Sequence, residues 1–127
     1  MPQQIATFEE LFPKVMANGV YLVEDLHTSY WRDWGGGLKR QGSFIEYSKN
    51  FIDQLHAWYS QEPKRLKTDE FTRSAHSLHY YDSVLVIEKR PMQPPRRKRT
   101  GQPLFPDYEP QYPGFINQLK RRLKRGG

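Results

Sequence analysis

The chain has 127 residues, 36% of them hydrophobic and 14% aromatic, with a formal net charge of +6. That length suits one domain. No apolar run reaches the ~18 residues of a membrane span, and the start, MPQQIATFEE, has neither the basic nor the apolar region of a secretory signal. Cysteine is absent, which excludes disulfides, thiolate catalysis and cysteine-based zinc sites and fits a cytoplasmic protein.

The positive charge is confined to one end. Residues 1–90 hold 11 Lys/Arg and 12 Asp/Glu, net −1, whereas residues 91–127 hold 9 and 2, net +7. A basic isoelectric point therefore describes an appended segment and not the body.

Thr7 and Glu10 have capping-box spacing. Phe8, Leu11, Phe12 and Val15 follow at i, i+3, i+4 and i+7, one apolar face of a first helix. Pro13 should end or kink that helix near Phe12. Asn18-Gly19 is a stop-and-turn signal, because both residues tolerate positive φ. Val20-Tyr21-Leu22-Val23 reads as a strand, and its continuous apolar run predicts burial on both faces. Helix, turn and buried strand make an αβ unit.

Residues 24–42 read as an irregular loop with Tyr30, Trp31, Trp34 and the run Gly35-Gly36-Gly37. A loop of that length inside a domain is functional or mobile. The triple glycine lacks phosphate-loop spacing and reads as a hinge. Ser43 and Glu46 form a second capping box. It opens a predicted long helix, Phe44 to Tyr59, with Ile45, Ile52, Leu55 and Tyr59 on one side and Phe51 and Trp58 beside them. Residues 60–70 read as a polar loop. His76 to Tyr81 and Val84 to Ile87 read as strands joined by Asp82-Ser83, an antiparallel hairpin.

Arg90-Pro91 closes the predicted folded part, so the chain divides into a partial domain over 1–90 and a Pro-rich basic tail over 91–127. Seven of the ten prolines lie in that tail, and its composition predicts disorder over 91–113. Phe115 to Arg125 has the pattern of a short basic helix. The body then has about three strands and exposes a sheet edge where Val20–Val23 begins. Such a sheet is too small to be complete.

Glu24 and Asp25 follow the first strand directly. In open α/β sheets ligands bind beyond the carboxyl ends of strands, and carboxylate oxygens suit Mg²⁺. The pair is either a cation site or a solvated strand end with Asp25 capping the loop. His27 is a ligand, a base or a loop histidine bonded to the backbone. Tyr30, Trp31 and Trp34 either wall a pocket for a flat or sugar-like substrate or pack on one another. His56, His76 and His79 show no metal spacing. His56 is expected at the surface of the long helix, and His79 in a structural role on its strand.

The string TFEELFPKVMANGVYLVEDLHTSYW, continuing through WGGGL, resembles the second half of macrocin- and mycinamicin-type sugar O-methyltransferases. Cephalosporin hydroxylase-like proteins are similar. YDSVLVIEKR resembles that family's closing hairpin, and the likeness spans about residues 4–90. It implies a class I, Rossmann-like, seven-stranded sheet with an antiparallel last strand. Val20–Val23 would be the fifth strand and the hairpin the sixth and seventh.

The resemblance implies that Glu24 and Asp25 ligate Mg²⁺. The metal would hold a substrate diol while a base takes the hydroxyl proton and S-adenosylmethionine gives up its methyl group. His27, Tyr30 and Trp31 would then contact a sugar-like substrate. The family's Asp-Asp-x-Ser-His motif and glycine-rich cofactor loop have no counterpart in these residues, so no catalytic or cofactor-binding residue is assigned. The chain is thus expected to be the C-terminal half of a methyltransferase domain, through truncation, an internal start or a split protein. Its partners would be a small-molecule substrate and a missing N-terminal half or a second copy. The alternative is a non-catalytic remnant or interaction module. Its clusters Arg96–Arg99 and Lys120–Arg125 would bind nucleic acid or an acidic membrane surface.

Overall fold

A computed structural model describes residues 2–98, 100 and 101. The chain divides into two units, Met1–Arg96 and Arg97–Gly127, and every element below lies in the first. The predicted helix over 115–125, and most of the basic tail, lie outside the described residues. No described helix is long and apolar enough to cross a membrane.

Helix α1 spans Pro2–Leu11. It begins earlier than the Thr7 capping box predicts: Pro2 occupies the first helical position, where its missing N–H costs nothing, and Thr7 is an exposed mid-helix residue. The stop falls where Pro13 requires it, with a single 3-10 turn over Phe12–Lys14. The turn at Asn18-Gly19 is present, but neither residue adopts positive φ. Glycine is needed there for space, because a Cβ on Gly19 would lie 2.6 Å from Val15 Cγ1.

Strand β1, Val20–Val23, leads into the loop. Helix α2 spans Phe44–Leu55 with Ser43 as its N-cap, the Ser43 side chain accepting from the Glu46 N–H, as the capping spacing predicts. It ends four residues before the predicted Tyr59, and a 3-10 turn, Ala57–Tyr59, follows. At the end of the expected polar loop over 60–70, and beyond it, a short helix α3 forms at Glu70–Ser74. Its signal is a capping box of an unusual pair, Asp69 with Thr72, in which each side chain bonds the other's backbone N–H. Strands β2, Ala75–Tyr81, and β3, Val84–Lys89, complete the fold.

The sheet order is β1-β3-β2, and β3 is antiparallel to both neighbours. This mixed α/β arrangement, closed by an antiparallel hairpin, is the partial methyltransferase fold that the resemblance implies. Successive strand residues alternate between faces, so the register places Tyr21, Val23, Leu78, Tyr80, Leu85 and Ile87 on one face. Helices α1 and α2 cover that face. Phe8, Phe12, Phe44, Phe51 and Phe71 form its aromatic core, with Phe8 4.6 Å from Phe51 and Phe51 4.7 Å from Phe71 between ring centroids. Each buried ring contributes about 1.5–3 kcal/mol of transfer free energy.

Two burial expectations fail for the same reason. Val20 and Leu22 are 56% and 51% exposed, so β1 is an edge strand buried on one face and not on both. On α2 the buried positions are Phe44, Ser48 and Phe51, while Ile52 and Tyr59 are exposed. Apolar character alone does not say which side meets the core. The aromatic cluster selects the helix face carrying Phe44 and Phe51, and among the described residues only one layer of helices covers the sheet.

Candidate active-site end of the sheet

The carboxyl end of β1 turns sharply. Asp25 has left-handed backbone geometry, φ 58°, a region that Asp tolerates better than most residues. A five-residue 3-10 helix, Leu26–Tyr30, and a shorter one, Arg32–Trp34, then replace the predicted irregular loop. The main chain around the Glu-Asp pair is pinned. Gln4 Nε2 donates to the Glu24 carbonyl at 3.2 Å, and the Thr28 hydroxyl and N–H donate to the Asp25 carbonyl at 2.7 and 3.1 Å.

The two carboxylates themselves are exposed. Among the described residues neither takes part in an ion pair. Adjacent anions left unpaired at a strand exit are chemically suited to a hard divalent cation, which commonly takes one or two protein carboxylates and completes its shell with water or substrate oxygens. Among the described residues no third His, Asp or Glu joins them in a cluster.

His27 is part-buried. Its Nδ1 lies 2.5 Å from Ser83 Oγ in the β2–β3 turn, and its ring meets Trp31 edge-on, 4.6 Å between centroids. Tyr30 and Trp31 are each about half exposed. Glu24, Asp25, His27, Tyr30 and Trp31 follow one another along the strand exit, the 3-10 helix and its C-cap. Trp34 is also exposed, at the end of the next 3-10 turn.

The triple glycine is not a hinge. Gly36 is buried, its N–H donates to the Trp31 carbonyl at 2.8 Å, and the Gly37 N–H donates to the Ser29 carbonyl at 2.8 Å. A Cβ on Gly36 would lie 2.4 Å from the Ser29 carbonyl oxygen. The glycines let the loop fold back against the turn that carries the candidate site. His56 is an exposed residue just beyond α2. His79 bonds Ser77 at 2.9 Å.

Recesses flank the core. One, of about 270 Å³, runs between α1 and β1 and includes Glu24, Gln4, Thr7 and Tyr21. Another, of about 290 Å³, lies between α1, α2 and α3 over Phe8, Tyr47, Phe51 and Phe71 and touches none of the predicted site residues. Tyr47 lines it, and burial, then a hydrogen bond to Glu9 and the charges of Glu9 and Asp69, push its phenol up to about 12.

The chain is 32% identical over 89 residues to the 8-demethyl-8-alpha-L-rhamnosyl tetracenomycin-C 2'-O-methyltransferase of Streptomyces olivaceus, covering 68% of this chain and 23% of that protein. It is 33% identical over 87 residues to the mycinamicin VI 2''-O-methyltransferase of Micromonospora griseorubida, covering 65% and 22%. The MycE methyltransferase of the mycinamycin biosynthetic pathway, solved in complex with Mg and SAH, superposes with a TM-score of 0.60 at 32% identity, over 69% of this chain and 24% of that one. This stretch is homologous to sugar O-methyltransferases of the macrocin and mycinamicin type. The chain spans about a quarter of the length of these methyltransferase relatives. No family model matches it.

Proposed function

We propose that this chain supplies the metal- and substrate-binding end of an S-adenosylmethionine-dependent O-methyltransferase domain that acts on a hydroxyl of a sugar-like small molecule. The reading rests on the identity to O-methyltransferases, and the unpaired carboxylates beyond β1 give it a chemical centre. Glu24 and Asp25 would hold Mg²⁺. When bound, such an ion orients the acceptor oxygens and makes the hydroxyl easier to deprotonate.

The remaining residues act by position. Tyr30 and Trp31 present exposed ring surface to the apolar face of a sugar, and the Trp31 ring also walls His27 on one side. The hydrogen bonds from Thr28 and Gln4 hold the backbone from which the two carboxylates project. The cofactor surface comes from the part of the domain that this chain does not span. The partner for this end is accordingly the remainder of the domain, together with a small-molecule substrate.

The test is made in two proteins. Assembled with the remainder of a methyltransferase domain, the double variant Glu24→Gln/Asp25→Asn should lower methyl transfer by at least ~100-fold, in line with losing an electrostatic contact to the reacting group. Retained activity would remove the metal role. The 127-residue chain alone should give no turnover, and turnover by the purified chain would show that the cofactor surface lies within it.

A second reading draws on the charge distribution, with a net of +7 over residues 91–127. In it the chain is a non-catalytic module that binds polyanions. Salt-sensitive binding to a polyanion, lost on deletion of 91–127, would favour that reading.

A further inference from the structure

Ser29 and Ser43 both serve the start of α2, but they come from different parts of the chain. Ser43, the N-cap, accepts from the Glu46 N–H. Ser29, within the 3-10 helix Leu26–Tyr30, accepts from the Ile45 N–H at 3.3 Å. The first N–H groups of a helix have no partner within it, so each serine meets a need of α2. Of the two, only Ser29 belongs to the segment that carries the candidate site.

Ser29 is 1% exposed. Its carbonyl accepts from the Gly37 N–H at 2.8 Å, and the Gly36 backbone packs so close that a Cβ there would stand 2.4 Å from the same oxygen. The side chain and carbonyl of one residue therefore hold the 3-10 helix between the start of α2 and the glycine loop. Tyr30 and Trp31 come next in the chain. The Trp31 N–H donates to the Thr28 carbonyl at 3.0 Å, and the Trp31 carbonyl accepts from the Gly36 N–H at 2.8 Å. With its backbone held on both sides, the half-exposed Trp31 ring stands edge-on to His27.

We propose that Ser29 is a positioning residue that sets the direction of the Tyr30 and Trp31 rings toward a sugar-like acceptor, by fastening their segment to the Ile45 N–H of α2. Its role toward the acceptor rests on the reading of residues 24–31 as the substrate end. Helix α2 is the fixed body, because Phe44 and Phe51 anchor it in the aromatic core. A part-buried donor left unpaired is costly. Without the Ser29 hydroxyl, a water or another acceptor must enter at the start of α2, and the 3-10 helix with its two rings shifts to admit it.

The experiment is proton NMR on the full 127-residue chain, reading the nuclear Overhauser contact between the Trp31 and His27 rings. Wild type should show that contact. Ser29→Ala should lose it, while Ser43→Ala, which removes the other cap of the same helix, should lower the melting temperature and keep it. A purely structural role for Ser29 would make the two variants alike. Ser29→Cys keeps a side chain of similar size but offers only a weak acceptor, and it should weaken the contact even where Ser29→Ala does not fold.

The proposal is overturned by a wild type without the ring contact, by an undiminished contact in a folded Ser29→Ala or Ser29→Cys variant, or by equal loss in Ser43→Ala. The outcome is independent of the metal reading, because loss of Mg²⁺ binding in Glu24→Gln/Asp25→Asn tests that reading without touching the bond between Ser29 and Ile45.

Discussion

Lys89 donates from Nζ to the Phe12 carbonyl at 2.8 Å while its ammonium group lies 4.5 Å from the centroid of the Phe12 ring. The same nitrogen donates to the Val15 carbonyl at 3.0 Å and reaches the Pro13 carbonyl at 3.5 Å. Lys89 is 5% exposed, and among the described residues it has no carboxylate partner. Its charge is balanced by the Phe12, Pro13 and Val15 carbonyls, in and just after the 3-10 turn that follows α1, and by the negative end of the helix dipole. One side chain thereby ties the last strand to the first helix.

Lys89→Met keeps most of the volume and removes the donors. The stranded carbonyls should cost about 1–3 kcal/mol, read as a lower urea midpoint with an unchanged slope. A midpoint equal to wild type would mean that water replaces the ammonium without cost.

Tyr47 sets a limit at alkaline pH. Its hydroxyl donates to Glu9 Oε1 at 3.1 Å, and its pKa is raised from 10.0 to about 12. The folded state therefore keeps a proton that the unfolded chain releases. This contribution to stability is fully present below pH 10 and is lost as pH rises toward about 12. Tyr47→Phe should flatten the pH dependence of the melting temperature in that window, and ultraviolet titration should show one fewer late-ionising phenol.

Gly36→Ala should disturb the loop more than Gly35→Ala does. A Cβ at Gly36 meets Ser29 backbone at 2.4 Å, whereas at Gly35 nothing lies within 4 Å and only the positive φ of 75° opposes a side chain. Overpacking against backbone costs about 1–3 kcal/mol and occasionally more, against roughly 1–2 kcal/mol for a side chain in the left-handed region. Tryptophan emission and amide exchange around Trp31 report the difference, and equal effects at the two positions would count against the packing argument.

The sheet face that no described helix covers carries Val20 and Leu22 with Val84 and Val86 on β3. An apolar face beside a free strand edge favours association. Leu22→Lys should reduce concentration-dependent association of the isolated chain, measured by sedimentation. Its melting temperature should move little, because substitutions at exposed positions usually change stability by less than ~0.5 kcal/mol.

Much of the local structure is legible in sequence. Asp82-Ser83 between two β-rich runs specifies the hairpin, Ser43 with Glu46 specifies the start of α2, and Pro13 specifies the end of α1, since each depends on backbone chemistry within a few residues. Glu24, Asp25, His27, Tyr30 and Trp31 could be chosen because they follow a strand and match a family string. The structure places them along the strand exit and the 3-10 helix Leu26–Tyr30.

Other features were decided only in three dimensions, because they depend on what lies opposite. Val20-Tyr21-Leu22-Val23 is apolar throughout, yet sheet order and a single helical layer decide that alternate residues face solvent. Gly36 reads like its neighbours until the Ser29 backbone is placed against it. Nothing in the sequence near Lys89 tells that the Phe12, Pro13 and Val15 carbonyls receive its ammonium group. Ser83 reads as a turn residue, and its hold on His27 exists because the hairpin folds back beside the loop. A residue's own chemistry sets its backbone preference at short range, but the partners that fix burial and charge come from distant chain.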